Sequence, residues 1–157
     1  MPHIPHSATR DAHILTFEEA MEGKSTAYDR EKWIYVPDFY SEYRYILGTR
    51  GKNPLIAVGI NPSTAEPDNL DNTLKSVERI AHSNGYDSFI MFNVYAQRAT
   101  DPDLMEKEFN PELHRENMKA FDECYGSPAL KRTGAHGTEF IDNITTYLVE
   151  AQPIAMA

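Results

Sequence analysis

At 157 residues, 41% of them hydrophobic and 25% charged, the chain has the length and composition of one globular domain with a real core. Its formal net charge of −9 argues against a broad surface for duplex DNA, whose binding is driven largely by phosphate neutralisation, yet leaves room for a local basic patch or a nucleotide-sized ligand. No apolar run approaches the ~20 residues of a membrane span, the first residues lack the regions of a signal peptide, and a single cysteine, Cys124, excludes an internal disulfide, so a cytoplasmic protein without membrane contact is expected.

Residues 1–14 carry His3, His6 and His13 with two prolines and no apolar period, and are read as an arm, mobile or docked, before a single domain over 15–157. The histidine spacing matches no metal-ligand template, and no metal or cofactor is expected. Thr16-Phe-Glu-Glu19 is a capping box that opens a short helix, which Gly23 ends. Residues 32–48 are rich in aromatic side chains, read as cover for one sheet face in preference to a base-stacking platform. Within them Tyr43-Arg-Tyr-Ile-Leu47 suits a strand. The turn from Gly48 to Pro54 leads to a second strand at 55–60, which predicts a hairpin or sheet edge. From Asp71 to Asn84, Leu74, Val77, Ile80 and Ala81 share one helical face, with Asp71 as N-cap and Asn84-Gly85 as the stop. Residues 88–95 then read as a buried strand, apolar on both faces, so the unit is strand, helix, strand with a right-handed crossover. Asn110-Pro111 begins another helix with the stripe Leu113, Asn117, Ala120, Phe121 and Cys124, closed by Gly126. A polar linker leads to a last helix from Thr138 to about Glu150.

Two strand ends joined by a helix are where an open α/β sheet builds a ligand crevice, and both ends here carry polar side chains. The first is Gly59-Ile60-Asn61-Pro62-Ser63-Thr64. Gly59 allows close backbone approach, Pro62 stiffens the loop, and Asn61 is held at the mouth able to donate and accept at once. Ser63 and Thr64 add hydroxyls; the alternative is that Asn61 and Ser63 only satisfy local backbone groups. The second end runs from Asn93 through Tyr95 to Arg98, Thr100 and Asp101. Arg98 can clamp a phosphate or carboxylate. Asp101 can serve as base, metal ligand or helix cap, the cap being favoured by the helix start near Pro102. Asn93, an amide in an apolar strand, must find hydrogen bonds or cost stability. Glu66, Asp68 and Asp71 read as a solvated loop with Asp71 capping.

Tyr43-Arg-Tyr-Ile-Leu-Gly48, Gly59-Ile-Asn-Pro-Ser-Thr-Ala65, Asp71-Asn-Thr73, Gly85-Tyr86 and Asn93-Val-Tyr-Ala-Gln-Arg-Ala-Thr-Asp-Pro102 together resemble the domain-of-unknown-function family 1643, small proteins of bacteria and their phages. Gly59-Ile60-Asn61-Pro62-Ser63 also resembles the first active-site motif of the mismatch-specific uracil/thymine DNA glycosylases, with Ser63 in place of a final glycine. That second resemblance implies a three-layer α/β/α sandwich with a central, mostly parallel sheet of the uracil-DNA glycosylase kind. It also implies Asn61 as the residue that orients the attacking water, with backbone around Ile60 and Pro62 lining a base pocket. In the same reading Arg98 holds a phosphate and Tyr95 or Tyr45 stacks on the base. Residues 126–157 show neither the glycosylases' second, DNA-wedging loop nor the histidine–proline motif usual near the C-terminus of family 1643, and the region is read as shortened and diverged or as leaving the active site incomplete. The expected function is binding of a nucleotide, nucleobase or single-stranded nucleic acid, with N-glycosidic hydrolysis as the chemistry. The rivals are a non-catalytic acidic accessory protein that binds a protein partner or mimics DNA, and a magnesium-dependent nucleotide hydrolase using Asp68, Asp71 and Asp101.

Overall fold

A computed structural model describes residues 2–5 and 13–126, with side chains through Asp122. In chain order its elements are α1 (Phe17–Met21), β1 (Trp33–Val36), β2 (Ile46–Thr49), β3 (Pro54–Gly59), α2 (Asn72–Ser83), β4 (Ser88–Asn93) and α3 (Pro111–Gly126), with a 3-10 turn at Pro102–Leu104 before the last helix. The helix predicted over Thr138–Glu150, His6 and the Cys124 side chain lie outside the described residues.

The helix ends are fixed by the residues expected. Thr16 and Glu19 close a reciprocal capping box on α1. The Asp71 carboxylate accepts from the Leu74 amide at 2.9 Å, and Gly85, at φ +83°, turns the chain out of α2. The Asn110 side chain accepts from the amides of Glu112 and Leu113 at the start of α3.

The four strands form one open sheet in the order β1-β2-β4-β3. β3 and β4 pair in parallel from Pro54↔Ser88 to Gly59↔Asn93, and α2 is the crossover between them, as the sequence predicts. The other two pairings, β1 with β2 and β2 with β4, are antiparallel. The sheet is thus a mixed, mostly antiparallel one, and the mostly parallel sheet implied by resemblance is not what these residues form. The physical reason is the connection at 37–45, which carries no helix and returns the chain directly beside β1; a parallel neighbour would need a crossover of a dozen residues or more. The expected hairpin between the strand at 43–47 and that at 55–60 is also corrected, because β4 lies between them. β3 does occupy a sheet edge. Gly48 permits the intrusion of β4: a Cβ there would stand 2.4 Å from the Phe89 carbonyl oxygen.

Alternation along β4 divides the core. Phe89 and Met91 join Leu74, Val77 and Ala81 of α2 on one face. Ile90 and Phe92 join Phe17 and Ala20 of α1 and Leu113 and Ala120 of α3 on the other. A central strand buried on both sides is apolar throughout, since each large side chain fully removed from water contributes roughly 1.5–3 kcal/mol. The aromatic run at 33–45 is spent the same way, with Trp33 and Tyr35 on the α2 face and Tyr43 and Tyr45 on the opposite one. The arm is docked where it is described. His3 reaches residues 40, 42 and 100, and Leu15, the first residue after the arm, exchanges hydrogen bonds with the hydroxyls of Tyr43 and Tyr45. No described helix is long and apolar enough to cross a membrane.

Candidate functional site

The loops that leave β3 and β4 run on side by side. The parallel pairing continues past the strands through Val94 N–H to the Gly59 carbonyl, Tyr95 N–H to Ile60 and Ala99 N–H to Pro62, at 2.9–3.0 Å. Each loop then sends one long polar side chain into the backbone of the other. Asn61 Nδ2 donates to the carbonyls of Ala99 at 2.9 Å and Pro62 at 3.0 Å, with a longer contact of 3.4 Å to Gln97. In return, Arg98 donates to Ser63 at 2.6 Å and Ala65 at 3.0 Å, and to the Tyr35 hydroxyl at 2.8 Å. A hydroxyl contact between Ser63 and Thr100, 2.9 Å, closes the outer end of the clasp. The loops that carry Asn61 and Arg98 are therefore brought together, but the donors of Asn61 are spent on backbone, and Arg98 is 0% exposed.

Arg44, read in the sequence only as part of the strand-like segment Tyr43-Arg-Tyr-Ile-Leu47, is the residue that completes the site. It too is 0% exposed and shares the Ala65 carbonyl with Arg98. Its contacts are looser, 3.3 Å to Ala65 and 3.2 Å to Asn93 Oδ1, at or beyond the long end of an N–H···O bond. No described carboxylate lies within 4.0 Å of either guanidinium. Burial, reinforced by the neighbouring Arg98 charge, lowers the Arg44 pKa to about 9. Burial also raises the Tyr35 and Tyr40 phenols above their ordinary value, so neither supplies an anion at neutral pH. Arg44 Nε, Arg98 Nε and Asn93 Nδ2 are buried donors without a partner among the described residues, and a Cβ on Gly59 would come within 2.9 Å of that last nitrogen. Buried charge is ordinarily paired, because leaving it bare in low dielectric is costly. The detectable signal was one arginine inside an aromatic strand-like run, Tyr43-Arg44-Tyr45.

Tyr40 covers Arg98, its ring centroid 4.0 Å from the guanidinium carbon and its outer face in solvent. His3 pins the cover: its ring meets the Tyr40 hydroxyl at 2.7 Å and Glu42 at 3.0 Å, and its backbone exchanges two hydrogen bonds with Thr100. Beside the clasp, Ile60 and Val94 are about half exposed. Pro62 is buried and Thr64 half-buried within the first loop.

Other predicted residues go elsewhere. Tyr95 lies inside the core, stacked on Phe109 with its hydroxyl on Glu106 and the Asn110 amide, and Tyr45 is buried against Leu15; neither faces a crevice. Asp101 caps the 3-10 turn by accepting from Asp103 N–H. Asp68, at φ 63°, sits in a tight turn closed by Glu66 and Asn69, and among the described residues no group of three or more His, Cys, Asp or Glu could hold a metal ion. Asn117, read only as part of the α3 stripe, braces the second loop by donating to the Asn93 and Val94 carbonyls.

Fold and site together define a small mixed α/β domain whose two strand-end loops are laced over a pair of buried guanidiniums with no counter-ion among the described residues. A family model described as a protein of unknown function, DUF1643, matches residues 44–139, and the chain belongs to that family. No curated protein and no solved structure matches the chain.

Proposed function

We propose that this domain binds a phosphate-bearing small molecule of the nucleotide class at the mouth of the sheet, with Arg44 and Arg98 supplying the charge that receives it. One observation carries the reading: two fully buried cations that share the Ala65 carbonyl have no counter-ion among the described residues, and each keeps an Nε–H donor without a described partner, as does the Asn93 amide that Arg44 touches. An oxyanion satisfies such donors and offsets both charges, which is why arginine pairs suit phosphate. Ligand reaches the pair by displacing the Tyr40 ring and the His3 contacts above it, and the half-exposed Ile60 and Val94 offer apolar surface beside it for a base. Asn61 is a positioning residue in this reading, holding the second loop so that Arg98 points inward.

The test is a thermal-shift series with orthophosphate, nucleoside monophosphates, nucleosides and free bases, on the wild type and on Arg44→Met. Stabilisation of about 2.7 kcal/mol at a hundredfold excess over Kd is the mass-action expectation. Phosphorylated ligands that stabilise the wild type and not Arg44→Met support the reading; bases that stabilise both equally contradict it.

Hydrolysis of an N-glycosidic bond is a second reading, favoured by the Oδ1 of Asn61, which has no described partner and can accept a hydrogen bond from a water and so orient it. Release of free base from uracil- or mismatch-containing DNA, lost in Asn61→Ala, would support it, and absence of release by the wild type would remove it.

A further inference from the structure

The opposite end of the sheet is built the other way. A cavity of about 530 Å³ opens between one stripe of α2 and the ends of β1 and β2. Lys75, Glu78, Arg79 and His82 line it from the helix, at the spacing that puts them on one face. Lys32 and Arg50 line it from the strands, held together by the Arg50 amide donating to the Lys32 carbonyl at 2.8 Å. Four fixed cations thus face two carboxylates in a chain whose formal net charge is −9.

None of Lys32, Arg50, Lys75 and Arg79 forms an ion pair within 4.0 Å with a described carboxylate. Asp87 turns its oxygens away, accepting from the Lys52 and Asn53 amides at 2.8 and 3.0 Å and from the Ser88 hydroxyl at 2.8 Å. The floor is closed by the buried Ser88 and Phe89.

We propose that this cleft is a second anion site, distinct from the sheet mouth, and that it takes a small molecule carrying two or more linked phosphates. Size and charge select the class. The volume falls within the ~300–1,000 Å³ of small-molecule sites. Cations on two facing walls suit a chain of phosphates bridging them better than a single one. A long nucleic acid would have to run past a surface of net negative charge, whereas a compact polyanion stays where the local field is positive. The cleft does not depend on the reading of the mouth, since no residue is common to the two.

The experiment is isothermal titration of the full chain with inorganic pyrophosphate, a nucleoside diphosphate, orthophosphate and a short single-stranded oligonucleotide. It is run on the wild type, on Lys75→Glu/Arg79→Glu and on Arg44→Met. All four cleft cations are exposed, so the double variant keeps its fold, which circular dichroism and melting verify. The expected result is pyrophosphate binding at least tenfold tighter than orthophosphate. Arg44→Met removes whatever share of this binding belongs to the mouth; the share that persists there weakens at least tenfold in the double variant. Parallel binding of the diphosphate shows that the linked phosphates are recognised when carried by a nucleoside; diphosphate failing while pyrophosphate binds assigns the cleft to the free anion. Pyrophosphate bound equally by the double variant, bound by neither protein, or outcompeted by the oligonucleotide overturns the proposal.

Discussion

The two ends of the sheet hold similar cations in opposite conditions. At the mouth, Arg44 and Arg98 are completely buried and packed against carbonyls, phenols and an amide. At the far end, Lys32, Arg50, Lys75 and Arg79 stand in water around an open cleft. Arg44 and Arg50 make the point within one stretch of chain, since they flank β2 and emerge in these two settings. A charge in water is stabilised by solvent whether or not a ligand arrives. A charge at the mouth depends on what the fold or a ligand places beside it. Architecture and electrostatics are therefore coupled at the mouth and nearly independent at the cleft.

The largest effect that sharpens this contrast is Arg98→Ala, expected to lower stability by about 3 kcal/mol, because it leaves a cavity under Tyr40 and strips partners from Ser63, Ala65 and Tyr35. Urea melts would read it; a loss below half that size would mean the clasp is not structural. Asn61→Ala follows at about 2 kcal/mol, since Nδ2 ties the second loop through the Ala99 carbonyl, and amide exchange at 97–100 should rise in parallel. Arg44→Met should change stability by less than about 1 kcal/mol in anion-free buffer, its lost bonds offset by relief of a bare buried charge. The sign with pH is definite: with the folded pKa lowered to about 9, the unfolded chain binds more protons above that pH, so the cost of the Arg44 charge fades as pH rises and the variant loses ground against the wild type.

Glu116 is the paired counterpart, a buried carboxylate that accepts from Phe17 N–H at 2.8 Å and meets Lys119 and Arg115. Burial alone would raise its pKa, but those hydrogen bonds and charges together carry it below the ordinary value. Its stabilisation is present above the usual carboxylate range and lost as pH falls through the folded value, so Glu116→Gln should flatten the acid limb of a stability–pH curve. At the small end, Lys75→Glu in the cleft should stay within about 0.5 kcal/mol of the wild type. A larger loss there would erase the distinction between the two ends.

The strand–helix–strand unit was legible because its signals are local: an apolar run, a cap at Asp71, a one-faced stripe and a stop at Gly85. Strand order was not, because nothing in residues 50–53 reveals that β4 intrudes between β2 and β3; the close approach at Gly48 is a tertiary fact. In the site, position at the strand ends was readable and wiring was not. Asn61 and Arg98 carry donors that suit a ligand and suit a backbone equally well, and only the side-by-side course of the loops turns each onto the other. Arg44 escaped because a single arginine among aromatics looks the same whether its head reaches solvent or is buried.

The most direct measurement of the central claim is a titration of the full chain with a nucleoside monophosphate, followed by NMR of the arginine side-chain N–H signals. Binding at the mouth predicts that the Nε–H resonances of Arg44 and Arg98 move together and become protected from exchange, while those of Arg50 and Arg79 stay in place. Signals from Arg44 and Arg98 that remain fixed at saturating ligand would contradict the account and leave the pair a purely structural clasp.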